Sequence, residues 1–309
     1  MKVLLTGGTG YLGRAIARAL GSRGHALVVF ARSASRAPLA GQAFDGDIRD
    51  RAALERAAAD CNAIVHCAAL VSIWRHRPQD FDDVNVGGLR NVIEVARTLR
   101  IPRIVYTSSF LALPPRDLKT PLEANDYQRT KVAGDRLADA AVSAGSPLVR
   151  VYPGVVYGPG ALTEGNLLGR LIADHLRHRL PGLIGPENRW SFAFVEDVAE
   201  GHCAALERGA AGGRYTLGGE NAPQRRAFEV LDELTGRRPP LRIPFPVANL
   251  LGAAEEWRAT LLGGAPLVTR GVVEIFRHDW SLDSSDAGRA LGYEITPLAE
   301  GIRRVLASL

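Results

Sequence analysis

Tyr127 and Lys131 stand four residues apart in a chain that uses lysine three times against thirty-five arginines. On a helix, residues at that spacing share one face, so both side chains can reach one bound molecule. A nearby ammonium favours phenolate over phenol, which draws a pKa of about 10 toward the range where a phenol exchanges protons. Lysine suits this task because its charge is compact and carries three donors. A surface helix pair would show the same spacing, and the pair gains meaning only from the rest of the chain.

The second chemical feature lies at the amino end. Gly7-Gly8-Thr9-Gly10-Tyr11-Leu12-Gly13 follows a short apolar strand at Lys2–Thr6 and opens a helical pattern from Tyr11 to Ser22. Gly7 and Gly10 permit a tight turn and close backbone approach to a pyrophosphate, while Gly13 lets helix and strand pack closely. Thr9, Tyr11 and Leu12 complete a loop whose free N–H groups and positive dipole end would face phosphates. Strand, glycine turn and helix together start a dinucleotide-binding unit.

These residues need a scaffold, and the first half of the chain supplies one. Apolar strands are expected at His25–Ala31, Gln42–Asp45, Ala63–His66, Arg103–Ser109 and Leu148–Tyr152, separated by helices at Arg51–Ala59, Phe81–Leu99 and Tyr127–Ala144. Such alternation predicts an α/β fold, a Rossmann-type doubly wound parallel sheet with ligands at the carboxyl ends of its strands. At those ends, the hydroxyls of Thr107, Ser108 and Ser109 would bond a reacting oxygen beside Tyr127. Small residues at Cys67, Ala68 and Ala69 let a cofactor lie against the backbone, and Asp47 with Ile48 follows the third strand. Asp47 would accept from an adenine amino group or else cap the helix at Arg51. His66 and Cys67 read as packing residues, and no metal site is expected.

Composition narrows the class. The net charge of +5 comes from arginines scattered among acids over 309 residues, which describes a solvated surface rather than a nucleic-acid face. Cys61, Cys67 and Cys203 lack the paired spacing of a disulfide framework or zinc site, as expected of a reducing, cytoplasmic setting. No apolar run reaches the roughly 18 to 20 residues of a membrane span, so no membrane insertion is expected.

With these motifs in hand, the chain resembles the extended short-chain dehydrogenase/reductases, also called the NAD-dependent epimerase/dehydratase family. The resemblance rests on Gly7/Gly10/Gly13, Asp47-Ile48, His66–Ala69, Asn85–Gly88, Thr107–Ser109, Tyr127/Lys131, Tyr152–Gly158 and Val195–Ala199. It implies a catalytic set of Ser109, Tyr127 and Lys131, with Asn85 matching an asparagine that holds a water behind the lysine. It also implies that Thr107, Pro153, Val155 and Val156 join Tyr127 and Lys131 around a nicotinamide cofactor, and that the protein is a homodimer joined through helices near 85–99 and 127–144. In the implied reaction, Tyr127 moves the proton, Lys131 lowers its pKa and holds a ribose, and Ser109 orients the carbonyl.

The second strand ends Phe30-Ala31-Arg32-Ser33 with no acid before Asp45, which favours NADP over NAD because Arg32 would accommodate the extra phosphate. The dinucleotide-binding domain is expected over 1–154. A smaller, mostly helical substrate lobe is expected over 155–309, with some segments returning to the first domain. Sugar-nucleotide members of the family carry an arginine where Trp190 stands, with Arg189 one residue off. Phe110–Leu113 and Val71–Trp74 offer an apolar lining. The chain is therefore most similar to the dihydroflavonol-reductase and 3β-hydroxysteroid-dehydrogenase-like branch, whose substrates are hydrophobic ketones, aldehydes or alcohols. A nucleotide-sugar epimerase or dehydratase with tightly bound NAD is the alternative, and a noncatalytic dinucleotide sensor the third reading.

Overall fold

The structure is a computed structural model that describes residues 1–309. Its first half runs β1 (Lys2–Thr6), α1 (Tyr11–Ser22), β2 (Ala26–Ala31), β3 (Gln42–Asp45), α2 (Arg51–Ala58), β4 (Ala63–His66), α3 (Gln79–Phe81), α4 (Gly88–Thr98), β5 (Ile104–Thr107), α5 (Asp126–Ser143) and β6 (Leu148–Pro153). Successive strand residues point to opposite faces. Val3, Leu5, Val65, Val105 and Val151 therefore share one core with α1, while Leu4, Phe30, Ile64, Ile104 and Tyr106 share another with α2, α4 and α5. Strands apolar on both sides need helices on both sides.

The second half continues β7 (Val155–Tyr157), α6 (Leu167–Leu176), β8 (Leu183–Ile184), β9 (Arg189–Phe194), α7 (Val195–Arg208), β10 (Arg214–Leu217) and β11 (Glu220–Pro223). It closes with α8 (Gln224–Thr235), β12 (Arg242–Ile243), α9 (Phe245–Leu262), α10 (Arg270–Ile275), α11 (Ser285–Leu291) and α12 (Leu298–Leu306). Seven strands form one sheet in the order β10-β6-β5-β4-β1-β2-β3, and every pairing is parallel. This is the Rossmann-type architecture that the alternating pattern predicts. The order reverses between β1 and β4, which puts the ligand crevice at their carboxyl ends. Within the second half, β10 pairs with β6, and α7 packs on α1. The remaining strands form small sheets, β11-β9-β7 and β12-β8, around an aromatic cluster that includes Tyr157, Trp190, Phe192, Phe194, Phe228 and Trp280.

One predicted element differs. The single helix expected over 81–99 is broken into α3 and α4 by a π-helical stretch at Asp82–Gly87. The stretch contains buried Asn85, whose side chain bonds Leu70 and Thr130. A wider turn of this kind is often found at functional sites.

Helix α1 contains two glycines with opposite expected behaviour. A Cβ on Gly13 would lie 2.1 Å from the Gly7 carbonyl oxygen, whereas one on Gly21 would meet nothing within 4 Å. Gly13→Ala should destabilise the protein by about 1–3 kcal/mol through overpacking, and Gly21→Ala should stabilise it by about 0.5–1 kcal/mol through helix propensity. Chemical denaturation of both variants would give midpoint shifts of opposite sign.

Candidate active site

The carboxyl edge of the sheet begins with a backbone cradle. Gly7 has φ +74°, and its N–H donates to the Phe30 carbonyl while Gly10 N–H donates to the Gly7 carbonyl. A Cβ on Gly7 would sit 2.6 Å from Ala68 N, so β1 and β4 approach there without room for any side chain. Gly10 is the N-cap of α1 and offers no side-chain cap, and no acid lies in the first turn. The leading N–H groups of α1, at Tyr11, Leu12 and Gly13, are thus left for an anion, and the cradle fits the diphosphate of a dinucleotide. Thr9 takes part through its carbonyl, which accepts from Arg14 Nε at 3.0 Å. The Tyr11 ring is packed near Gly158, Gly160 and Gly165, with its hydroxyl buried and unpartnered.

Next along the edge, Thr6 Oγ1 bonds His66 Nδ1 at 2.7 Å and accepts from Ala68 N at 3.3 Å. Burial, aided by the Lys131 charge, holds His66 neutral by pushing its pKa down to about 3, and its Nε2 has no partner. Cys67, Ala68 and Ala69 are half-buried beyond it. At the end of β2, Arg32 is exposed. The neighbouring acids are engaged elsewhere: Asp45 accepts from Ser35 N and Oγ, and Asp47 from Arg49. The cap expected of Asp47 belongs instead to Asp50, which accepts from Ala53 N at 3.0 Å because it directly precedes α2. Ile48 is buried where α4 begins, close enough that a Cβ on Gly88 would lie 2.8 Å away.

Tyr127 and Lys131 lie on the first turns of α5. Asn125 caps the helix by accepting from Gln128 N at 2.9 Å, and buried Gln128 ties it to Leu111 O and Ala124 N. The three strand-end hydroxyls separate in function. Thr107 Oγ1 bonds His202 Nε2 of α7 at 2.9 Å, and Ser108 turns to Asp135, so neither hydroxyl is free for a reacting oxygen. His202 donates from Nδ1 to Val198 O, which makes Nε2 the acceptor for Thr107. Only Ser109 is left beside Tyr127, close enough for its hydroxyl to influence the phenol, while its oxygen accepts from Leu111 N at 3.2 Å.

Lys131 is buried, and its Nζ donates to the Thr107 carbonyl at 3.1 Å, 5.7 Å from the Tyr106 ring centroid and 5.9 Å from that of Tyr127. Burial pushes this lysine down to about 8. The expected acidification of Tyr127 is not found. Burial pushes the phenol up to about 12, against a smaller opposing effect of the nearby Ser109 hydroxyl. Desolvation is the largest influence on the phenol, and the Lys131 ammonium donates to the Thr107 carbonyl. The hydrogen bonds of Asn85 do not include Lys131: its oxygen accepts from Leu70 N at 2.7 Å, and its amide donates to Leu70 O and Thr130 Oγ1, linking the segment after β4 to α5.

Pro153 ends β6 and pairs with Leu217, and Val155 is buried in β7 opposite Phe192, with Val156 half-buried next to it. Leu111 and Ala112 are core residues, while Phe110 packs edge-on against Trp280 at 5.3 Å. Trp190 lies within the aromatic cluster, 4.6 Å from Phe276, and Arg189 is spent on the Asn221 carbonyl at 2.6 Å. Gln128, His202 and Asp135 escape the sequence reading because their partners lie 17 to 95 residues away. Only the glutamine's place one residue after Tyr127 hinted at a role.

Buried Lys131 makes stability depend on pH. Between about 8 and the ordinary 10.5, the unfolded chain holds a proton that the folded chain has released, so stability rises with pH in that window. Lys131→Met should therefore stabilise the fold below pH 8 by on the order of 1–3 kcal/mol and flatten its dependence from pH 8 to 10.5, as measured by denaturation at a series of pH values.

The family model described as NAD dependent epimerase/dehydratase matches residues 3–218. A sterol demethylase protein B of Methylococcus capsulatus is 33% identical over 258 residues, covering 79% of this chain and 78% of the relative. A 2-alkyl-3-oxoalkanoate reductase of Stenotrophomonas maltophilia is 30% identical over 338 aligned positions, covering 100% and 99%. The crystal structure of gox2253 superposes with a TM-score of 0.83 at 28% identity, covering 99% of this chain and 97% of that one. The glycine cradle, the parallel sheet and this match over more than half the chain agree, and the protein belongs to the NAD-dependent epimerase/dehydratase family, the extended short-chain dehydrogenase/reductases.

Proposed function

We propose that the protein is an NADP-dependent reductase of an apolar ketone or aldehyde, able to run in reverse on the secondary alcohol, with Ser109, Tyr127 and Lys131 at its catalytic centre. The observation that carries this reading is the convergence of Tyr127, on the first turn of α5, and Ser109, just past β5, on the buried Lys131 ammonium, which lies 5.9 Å from the Tyr127 ring centroid and bonds the Thr107 carbonyl, at the sheet edge that also holds the glycine cradle. When bound, the nicotinamide supplies or takes up the hydride.

Tyr127 keeps its proton through the physiological range and can give it to the substrate oxygen as negative charge develops there. Ser109 bonds the same oxygen and fixes its direction. Lys131 uses one donor on Thr107 and retains two for ribose hydroxyls. Asn85 acts one step back, as a positioning residue that ties α5 to the segment after β4. Pro153, Val155 and Val156 would close the cofactor's far side.

Exposed Arg32 supports NADP, since Asp45 and Asp47 are both engaged and no carboxylate waits for a ribose 2′-hydroxyl. An apolar substrate is supported by the aromatic wall of Phe110 and Trp280, and by Trp190 standing where a nucleotide-sugar enzyme would need a cation. We also infer a homodimer joined through α4 and α5, and a reducing, cytoplasmic setting consistent with three free cysteines. Light scattering that returns a single-chain mass would remove the dimer.

Tyr127→Phe should lower kcat by roughly 10²–10⁴ and leave the dissociation constant for NADP nearly unchanged. Unaltered turnover would refute the assignment. Arg32→Ala should weaken NADP binding by about tenfold or more while sparing NAD, as read by fluorescence titration of both cofactors, and a wild-type preference for NAD would reverse the cofactor choice.

A further inference from the structure

Helix α9 is turned inside out. Its carboxylates are used against the protein: Glu256 accepts from Arg270 N and Nε, while Glu255 accepts from Arg258 and from Leu267 N. The residues it buries are the small Ala248, Gly252 and Ala259, and a Cβ on Gly252 would lie 2.9 Å from Arg270 N at the start of α10. The solvent side carries Val247, Leu250, Leu251, Trp257, Leu261 and Leu262, of which Leu250 is 73%, Trp257 67% and Leu262 79% exposed. An apolar helix side ordinarily faces a core, and scattered exposed leucines need no explanation, but a contiguous row of them does.

A cationic rim adjoins the amino end of this helix. Pairing of β12 with β8 brings the segments before them together: the Arg237 guanidinium bonds the His178 ring, and His175 Nε2 donates to the Arg238 carbonyl. Arg177, Arg179, Arg237, Arg238 and Arg242 gather there, and the ion pairs of the neighbouring segments involve none of the five. His175 and Thr235–Arg238 line an open hollow with no hydrophobic residue in its wall, and Leu241, next to Arg242 in the chain, is 81% exposed.

We propose that α9 and this arginine rim form a docking face for an anionic lipid bilayer, on which α9 lies flat with its apolar side in the interfacial layer. No helix is long and apolar enough to cross a membrane, so the contact is peripheral. An apolar side bearing a tryptophan, beside a group of cations, has the chemistry of that layer, where rings sit at headgroup depth and guanidiniums meet lipid phosphates. Charge selects this occupant over a second copy, because five unpaired arginines on one chain would face five more. The face also adjoins the catalytic cleft: α10, which carries α9, starts where a Cβ on Gly271 would touch Ala124 O, three residues before Tyr127. If the carbonyl-reductase reading holds, substrate dissolved in the bilayer would reach Tyr127 from this side, but docking itself does not depend on that reading.

The test is cosedimentation of the full chain with vesicles of phosphatidylcholine alone or mixed with phosphatidylglycerol. The protein should partition onto the mixed vesicles only, with a blue shift in emission from Trp257. Arg237→Ala with Arg238→Ala should weaken binding about 25-fold, roughly fivefold for each charge, and Leu250→Glu with Trp257→Glu should abolish it, with thermal stability unchanged in both variants. Failure of the wild type to sediment with anionic vesicles, or full binding by the Leu250→Glu/Trp257→Glu variant, would overturn the proposal. So would a molar mass that this variant halves, since the face would then belong to a second copy. None of these readings uses turnover, so the carbonyl-reductase assignment stands or falls separately.

Discussion

A buried ammonium with no carboxylate in contact lies at the heart of this molecule. Lys131 rests on one backbone carbonyl and near two aromatic rings, which is thin compensation for a charge removed from water. It remains there only because α5 cannot turn. The Asn125 cap and Gln128 hold the helix start, Thr130 is tied to Asn85, and Asp135 accepts from Tyr152 and Arg214 one turn further on. Each bond fixes the helix from a different side, and together they set the rotation that aims Tyr127 and Lys131 at one place. Strain held at a site by its surroundings is a familiar sign of function.

Local rules carried the sequence reading far. Continuous apolar runs alternating with helical patterns, and the glycine spacing, identify the parallel sheet and its cradle, because both depend on residues close together in the chain. Tertiary partners account for what was missed. Nothing near Thr107 announces that His202 will claim its hydroxyl, and nothing near Tyr127 announces that burial will outweigh the lysine. The break in the helix expected over 81–99 is similar, since Asn85 is drawn inward by Leu70 and Thr130, one of which is 45 residues distant. The Asp47 cap failed more simply: two aspartates precede α2, and the one adjacent to it does the capping.

The second half of the chain has weaker periodicity because its core is built from rings rather than regular stripes. Tyr157, Phe192 and Phe194 meet edge-on, and Trp190 packs between Phe192 and Phe276. Such contacts come from separate short strands and loops, so no window of sequence displays them. Through Phe110 and Trp280 this cluster touches the turn that begins at Ser109, and the shape of the lobe is transmitted to the reacting groups by packing.

Strand β10 carries a consequence for how the protein can be divided. It arrives from beyond residue 213 to cover β6, whose six residues are all buried. A fragment ending near residue 154 would leave that strand with a bare margin of unpaired N–H and C=O groups, an invitation to stick to its own kind. The nucleotide-holding half is therefore not a detachable cassette, and grafting a foreign lobe onto it would succeed only if the graft brought its own edge-sealing strand.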